Sequence, residues 1–237
     1  DQIHQYYKYF YDRNIPVNMI PFDGDLDRYK IIVAPVLYMV KEGMREALEN
    51  FVRKGGVLVT TYMSGIVDQS DNVYLGGYPG VLSDMAGVWV EEIDALAPEQ
   101  QNTVIFHDGE SVPGRLVCDI IHLKGAECIG RYGKDFYAES PAVTRNRFGD
   151  GHVYYIGTGM DCPGIAKVLD MAAEDGCVKP VVEEETGLEI TCRRKDGYRY
   201  YFVINFKEED LEIPSCLAGN TDVLTGEPVR SGDTLSK

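Results

Sequence analysis

Residues 30–62 run strand, helix, strand, and this succession constrains the fold more than any other feature of the chain. "KIIVAP" (30–35) is an unbroken apolar run closed by proline, as expected of a strand covered on both faces. In "KEGMREALENFVRKGG" (41–56), Met44, Ala47, Leu48, Phe51 and Val52 fall on one side of a helix. Lys54 and Gly55 supply a basic last turn and a glycine stop. "VLVTTY" (57–62) is β-branched and buried in character. A βαβ unit of this spacing implies a right-handed crossover and an open, doubly wound α/β sheet.

The flanking pattern extends this plan. "DQIHQYYKYFYDRN" reads as a helix with Ile3, Tyr6, Tyr7, Phe10 and Tyr11 on one face, stopped near Asn14 by Pro16. "VNMI" (17–20) reads as a short buried strand. After a glycine-rich loop, "VLSDMAGV" offers a short helix and "VWVEEID" (88–94) a strand. From 103 to 158 the pattern is mainly β, with a Gly-Asp-Gly turn inside "RFGDGHVYYIG". A last helix spans about 163–175, with Ile165, Val168, Leu169 and Ala172 on one side.

"PVVEEE" (180–185) reads as a linker, and the boundary falls near 178–182. This gives an α/β domain over 1–178 and a small all-β domain over 179–237. In the second, Asp196-Gly197 between two strands is the strongest hairpin signal of the chain. Fewer than 60 residues make a marginal core on their own. The chain lacks an initial Met, starts on a helical pattern, and stops in "DTLSK" as a strand begins. An excised piece of a longer protein is expected.

The balance of 23 Lys and Arg against 38 Asp and Glu gives a charge of −15. Such a surface repels phosphate backbones and anionic membranes, so neither nucleic acid nor membrane is an expected partner. No apolar run reaches membrane-spanning length and no signal peptide is visible. Six scattered cysteines (118, 128, 162, 177, 192, 216) form no CxxC and no zinc spacing, which favours reduced thiols and the cytoplasm.

Each candidate for chemistry has a simpler reading. "DNVYLGGYPGVL" (71–82) holds Gly76, Gly77 and Gly80, but no Lys follows and the spacing is neither that of a P-loop nor GxGxxG. These glycines, with Pro79, are read as turn positions that fix a loop's shape. Ser64 in "TTYMSGIVD" sits where a nucleophile elbow could be, without the G-x-S-x-G frame or a paired His. His4, His107, His122 and His152 are dispersed, and His122 reads as a core residue of an apolar strand. Glu91 and Glu92, adjacent on a strand, should point to opposite faces. Glu183, Glu184 and Glu185 read as solvated linker, and Tyr6, Tyr7, Tyr9 and Tyr11 as partly core. No catalytic residue, metal ligand or cofactor is expected.

The segments "DRYKIIVAPVLYMV", "FVRKGGVLVTTYMSGIVDQSDNVYLGGYPGVLSDMAGVWVEEIDAL", "GKDFYAESPAVTRNRFGDGHVYYIGT" and "ITCRRKDGYRYYFVINF" cover most of the chain. In that order they resemble glycoside hydrolase family 42 β-galactosidases, in the part that follows the catalytic barrel. The resemblance implies a flavodoxin-like or class I glutamine amidotransferase-like middle domain, with an open, mostly parallel sheet and helices on both faces. That domain mediates trimer formation, and a small antiparallel β domain follows it. A (β/α)₈ barrel takes about 250 residues by itself, and neither family glutamate has a counterpart here. The implied partners are the enzyme's own barrel and two identical subunits, and the chain by itself is expected to be inactive. Tyr62, Tyr74, Tyr78 and Trp89 are the interface candidates, because aromatic side chains anchor interfaces. Two rivals remain open at this point. One is an amidotransferase-like enzyme using Ser64 or a Cys, although no Cys follows a suitable strand. The other is a small-ligand module at the strand ends near Pro35–Tyr38 and Ser64.

Overall fold

The computed structural model describes residues 2–183 and 187–237. Two compact units are present. The first joins residues 2–6 to Ile20–Val178. The second joins Tyr7–Met19 to the described residues from Lys179 to Lys237. The chain's first helix, α1 (Gln2–Asp12), is therefore divided between them. Of the run "PVVEEE", Glu184 and Glu185 lie outside the described residues.

In the first unit, β1 (Ile31–Ala34), α2 (Met44–Arg53) and β2 (Val57–Thr61) form the βαβ unit, with β1 parallel to β2. The other elements are α3 (Ser83–Ala86), β3 (Val88–Ala95), β4 (Asn102–Phe106), β5 (Ser111–Leu123) and β6 (Glu127–Tyr132). They continue with β7 (Pro141–Phe148), β8 (Gly151–Ile156), β9 (Thr158–Met160) and α4 (Cys162–Asp175). The sheet runs β1-β2-β8-β7-β6-β4-β5-β3, with β9 added on β5.

The sheet is mixed. β2 pairs β8 in parallel, and from β8 to β3 every pairing is antiparallel. Parallel order needs a long crossover, which residues 30–62 supply. The tight Gly149-Asp150 turn between β7 and β8 can serve only an antiparallel pair. The parallel portion expected from the sequence thus ends at β8.

Helices cover both faces. Met44, Leu48, Phe51 and Val52 of α2 share one core with Leu82, with Met85 and Ala86 of α3, and with Leu58, Val153 and Tyr155 of the sheet. Each buried Val, Leu, Met or Phe among them contributes roughly 1.5–3 kcal/mol. Tyr154 alternates with Val153 and Tyr155, so it points to the opposite face. There its hydroxyl donates to Asp175 Oδ2 of α4 at 2.7 Å, and Ile165, Val168, Leu169 and Ala172 of α4 are buried.

In the second unit, β10 (Glu189–Lys195) and β11 (Tyr198–Ile204) form an antiparallel hairpin. Asp196 and Gly197 both adopt positive φ (51° and 81°), as a two-residue turn matched to strand twist requires. β12 (Leu211–Glu212) pairs β13 (Thr234–Leu235). The core is small: Val182, Leu188, Ile190 and Leu217. Asn14 ties in the segment after α1, its side-chain oxygen accepting from the Ile190 N–H at 2.8 Å.

Two local expectations fail. Val17–Ile20 is not a strand. Met19 is 67% exposed and Ile20 37%, so neither a ladder nor a core rewards extension there. In α1 the buried side chains are Tyr6, Tyr9 and Phe10, while Ile3 and Tyr7 are exposed. The buried stripe is rotated from the expected one, because from Tyr6 to Tyr11 every residue but Lys8 is aromatic and several faces are similarly apolar.

Candidate functional site

The segment after β2 returns against the segment after β1, and this pair of strand ends is where an open α/β sheet ordinarily places its chemistry. Here the strand ends are closed by their own hydrogen bonds. Gly65 N–H donates to Leu37 O at 2.8 Å and Ile66 N–H to Tyr38 O at 2.9 Å. Ser64 is fully buried, and its Oγ accepts from the Leu37 N–H at 3.0 Å and lies 2.9 Å from Thr60 Oγ1. Thr61 Oγ1 accepts from the Val36 N–H at 2.8 Å. Ser64 therefore completes a turn and offers no nucleophile. The strained position of the turn, φ 56°, belongs to Met63, whose thioether cannot attack a carbonyl. The elbow reading thus loses Ser64 as its nucleophile, and the backbone of Leu37 and Tyr38 is taken up by the same turn.

Beyond this turn, residues 66–80 form a shaped loop. Asp68 Oδ1 accepts from the Asn72 and Ser70 N–H groups at 3.0 and 2.8 Å, and the carboxyl also accepts from the Asn72 side-chain amide, which together hold it below the usual range. Tyr74 hydroxyl donates to Val40 O at 3.1 Å, and Tyr74 and Tyr78 pack half-buried on the core. Tyr78 and Val90 exchange backbone hydrogen bonds, so the loop covers the outer edge of β3. Trp89 Nε1 donates to Gly76 O at 2.9 Å.

Two glycines are dictated by contact. A Cβ on Gly65 would lie 2.0 Å from Pro79 O, and one on Gly77 would lie 2.0 Å from Trp89 Nε1. Pro79 is buried and Gly80 passes close to Gly65. The Gly80 N–H donates to Gly77 O at 3.3 Å, closing the loop's own turn.

The four interface candidates differ in what they present. Tyr62 is a core residue, 5% exposed, and shows no surface to a partner. Its hydroxyl is raised by burial and then by the nearby Asp119. Tyr74 and Tyr78 show edges, and Trp89 is half-exposed with its ring 4.9 Å from that of His122. His122, expected in the core, is exposed, and its Nε2 shares a 2.7 Å hydrogen bond with Glu91. Glu91 sits at a β-bulge, with Val90 opposite Ile121 and Glu92 opposite Ile120. Simple alternation therefore breaks there, and Glu91 and Glu92 are both exposed. The loop tip adds exposed apolar residues that the pattern did not single out, Val73 at 55% and Leu75 at 96%.

A second polar group escaped the sequence reading. Asp119 lies in β5 with no exposure, its Oδ2 accepting from Tyr155 hydroxyl at 2.6 Å. Its N–H donates to Gly157 O, which also accepts from Tyr132 hydroxyl at 3.0 Å. Among the described residues, Asp119 Oδ1 and Tyr62 hydroxyl have no hydrogen-bond partner. Burial pushes Asp119 up to about 7, against the pull of the Tyr155 bond. One Asp inside the apolar run "RLVCDIIHL" was the available signal. Sealed from solvent, it is a structural acid. No cluster of three or more potential metal ligands exists among the described residues, and no helix of the described residues is long and apolar enough to cross a membrane.

The class to which this architecture belongs comes from family models. The β-galactosidase trimerisation domain matches residues 1–179, and the β-galactosidase C-terminal domain matches 187–237. The chain belongs to the glycoside hydrolase family 42 β-galactosidases, as its trimerisation and C-terminal domains. It is 44% identical over 228 residues to β-galactosidase LacA of Lactobacillus acidophilus, covering 96% of this chain and 34% of the relative. It is 40% identical to BgaA of Planococcus sp. (strain 'SOS Orange'), covering 100% and 36%. The crystal structure of a β-galactosidase from Bacillus circulans sp. alkalophilus superposes with a TM-score of 0.94 at 39% identity, over 99% of this chain and 36% of that one. The chain thus spans about a third of the length of the relatives it matches.

Proposed function

We propose that this chain is the assembly portion of a β-galactosidase, holding three identical subunits together while a catalytic barrel elsewhere in the same polypeptide cleaves terminal β-galactosides. The observation that carries the reading is the match of the trimerisation domain to residues 1–179. The locked strand ends at Ser64 and Met63 support it, because they take up the serine that an elbow enzyme would use. Retaining cleavage by a carboxylic acid and a carboxylate nucleophile would belong to the barrel. The βαβ end of the sheet is what supports a flavodoxin-like or amidotransferase-like origin, and the reduced cysteines agree with a cytoplasmic enzyme.

In this reading the loop tip and the edge beside it, Leu75 with Tyr74, Tyr78 and Trp89, form one of the two complementary patches that a closed three-fold ring needs. Sedimentation tests this. The longer enzyme is expected to run at three times its monomer mass, and Leu75→Asp to shift it toward monomer by at least tenfold in dissociation constant. Because Leu75 is 96% exposed, the variant should keep wild-type unfolding of the monomer. A trimer indifferent to Leu75→Asp would remove this patch from the interface.

A further inference from the structure

The second unit displays a row of large apolar side chains. Tyr198, Tyr200, Phe202 and Ile204 alternate along β11 and share one face, exposed by 69%, 39%, 52% and 41%. Phe206, next in the alternation, is 61% exposed. The opposite face of the same hairpin is spent on the core, with Ile190 fully buried and Tyr201 and Val203 packed against it. Across the row, β10 sets Lys195 opposite Tyr198, Arg193 opposite Tyr200, Thr191 opposite Phe202 and Glu189 opposite Ile204.

The row continues onto α1. Tyr11 lies close enough to Glu189 to feel its charge, and the rings of Tyr7 and Tyr11 are 6.2 Å apart. Tyr7 is 37% exposed. Taken together these side chains present on the order of 600 Å² of apolar surface, at the upper limit of what a monomer leaves uncovered.

We infer that this face is the seat of the polypeptide's remaining two-thirds, the part present in the relatives and absent from this chain, so that the small β unit is clamped to the segment carrying the catalytic barrel. The inference rests on the proposed function above. Two observations choose this occupant. The relatives are about three times as long as the chain, so a large covalently attached body is available to cover the face. Among the described residues the unit's sheets enclose a cluster of four buried apolar residues, to which the N-terminal segment adds buried Tyr9, Phe10 and Ile15, a small core for a unit of this size, so its cover must be permanent rather than transient. Arg193 and Lys195 place positive charge at one end of the row, where acidic groups of the covering segment would pair with them.

Oxidative footprinting of the longer enzyme beside the 237-residue chain tests the inference. Labelling of Tyr198, Tyr200 and Phe202 is expected to fall at least fivefold in the longer enzyme, and the fall should not change on dilution. The double variant Tyr200→Ser, Phe202→Ser should lower the unfolding midpoint of the longer enzyme while leaving that of the 237-residue chain unchanged. Equal labelling in the two proteins overturns the inference, and if the longer enzyme still forms trimers, the assembly reading survives that failure. Protection that disappears on dilution points to a second copy and also overturns it. A gene that encodes no further segment overturns both readings together.

Discussion

Asp119→Asn is expected to stabilise the protein above neutral pH and to leave it nearly unchanged in acid. In the unfolded chain this carboxyl titrates near ~3.9, while in the fold it keeps its proton up to about 7. A raised value means that the folded state binds a proton which the unfolded state has released. The stability associated with the neutral acid is therefore fully present below about pH 4 and is lost as the pH rises toward 7. Three units at 1.36 kcal/mol each make the loss about 4 kcal/mol. Asn cannot ionise, yet its oxygen can still accept from Tyr155 hydroxyl, which lies 2.6 Å from the present carboxylate. Asp68, Asp108 and Asp222, whose carboxyls are held low, act in the opposite direction but equally in both proteins. The difference between the two stability curves isolates Asp119. Urea unfolding followed by the single tryptophan, Trp89, should show the curves meeting at pH 4 and separating by as much as about 4 kcal/mol at pH 8. Parallel curves would mean that the buried group is ionised throughout.

The second large effect is expected at Gly65. Its φ of 64° and the 2.0 Å approach of Pro79 O to a would-be Cβ combine backbone strain with overlap against backbone. Gly65→Ala is expected to cost about 3 kcal/mol or more, the sum of a left-handed conformation and an overpacked contact. It should also unseat residues 66–80, because Gly65 carries one of the hydrogen bonds that join the two strand ends. Gly76→Ala serves as the control. Its φ is also positive, at 98°, but nothing lies near its Cβ direction, so only the conformational cost of about 1–2 kcal/mol applies. Urea midpoints of the two variants should differ clearly. Equal losses would show that the contact with Pro79 is not what demands glycine at 65.

What was legible in the chain follows from how local its causes are. The βαβ unit, the stripes of α2 and α4 and the Asp196-Gly197 hairpin were all readable, because each is encoded within a dozen residues by periodicity and turn chemistry. The strand order was not. It depends on which distant strands pair, and nothing in "HVYYIGT" announces that one edge of β8 runs parallel to β2 and the other antiparallel to β7. Val17–Ile20 looked like a strand by composition but found no partner. His122 looked internal because its neighbours are apolar, whereas its own position in β5 faces outward beside Trp89. The bulge at Glu91 was invisible for the same reason, since it arises from register against another strand.

The glycine-rich loop carries no phosphate motif, and the contacts of Gly65 and Gly77 give a reason for part of its composition. Its exposed tip at Leu75 escaped notice, because exposure is a property of the folded loop. Tyr62 was misplaced in the opposite sense, being an aromatic at a strand end whose ring turns inward. Asp119 shows a general difficulty. A lone acid in an apolar run is visible as an oddity, but only the packing of Tyr155, Tyr132 and Gly157 around it reveals that it is sealed.

The central claim is that this chain assembles subunits and leaves the chemistry to another part of the polypeptide. The most direct measurement is turnover of a chromogenic β-galactoside by the purified 237-residue chain, beside an equimolar amount of the longer enzyme. The account predicts hydrolysis by the longer enzyme and none above buffer by the chain at any concentration. Hydrolysis that rises in proportion to the chain's concentration would contradict it.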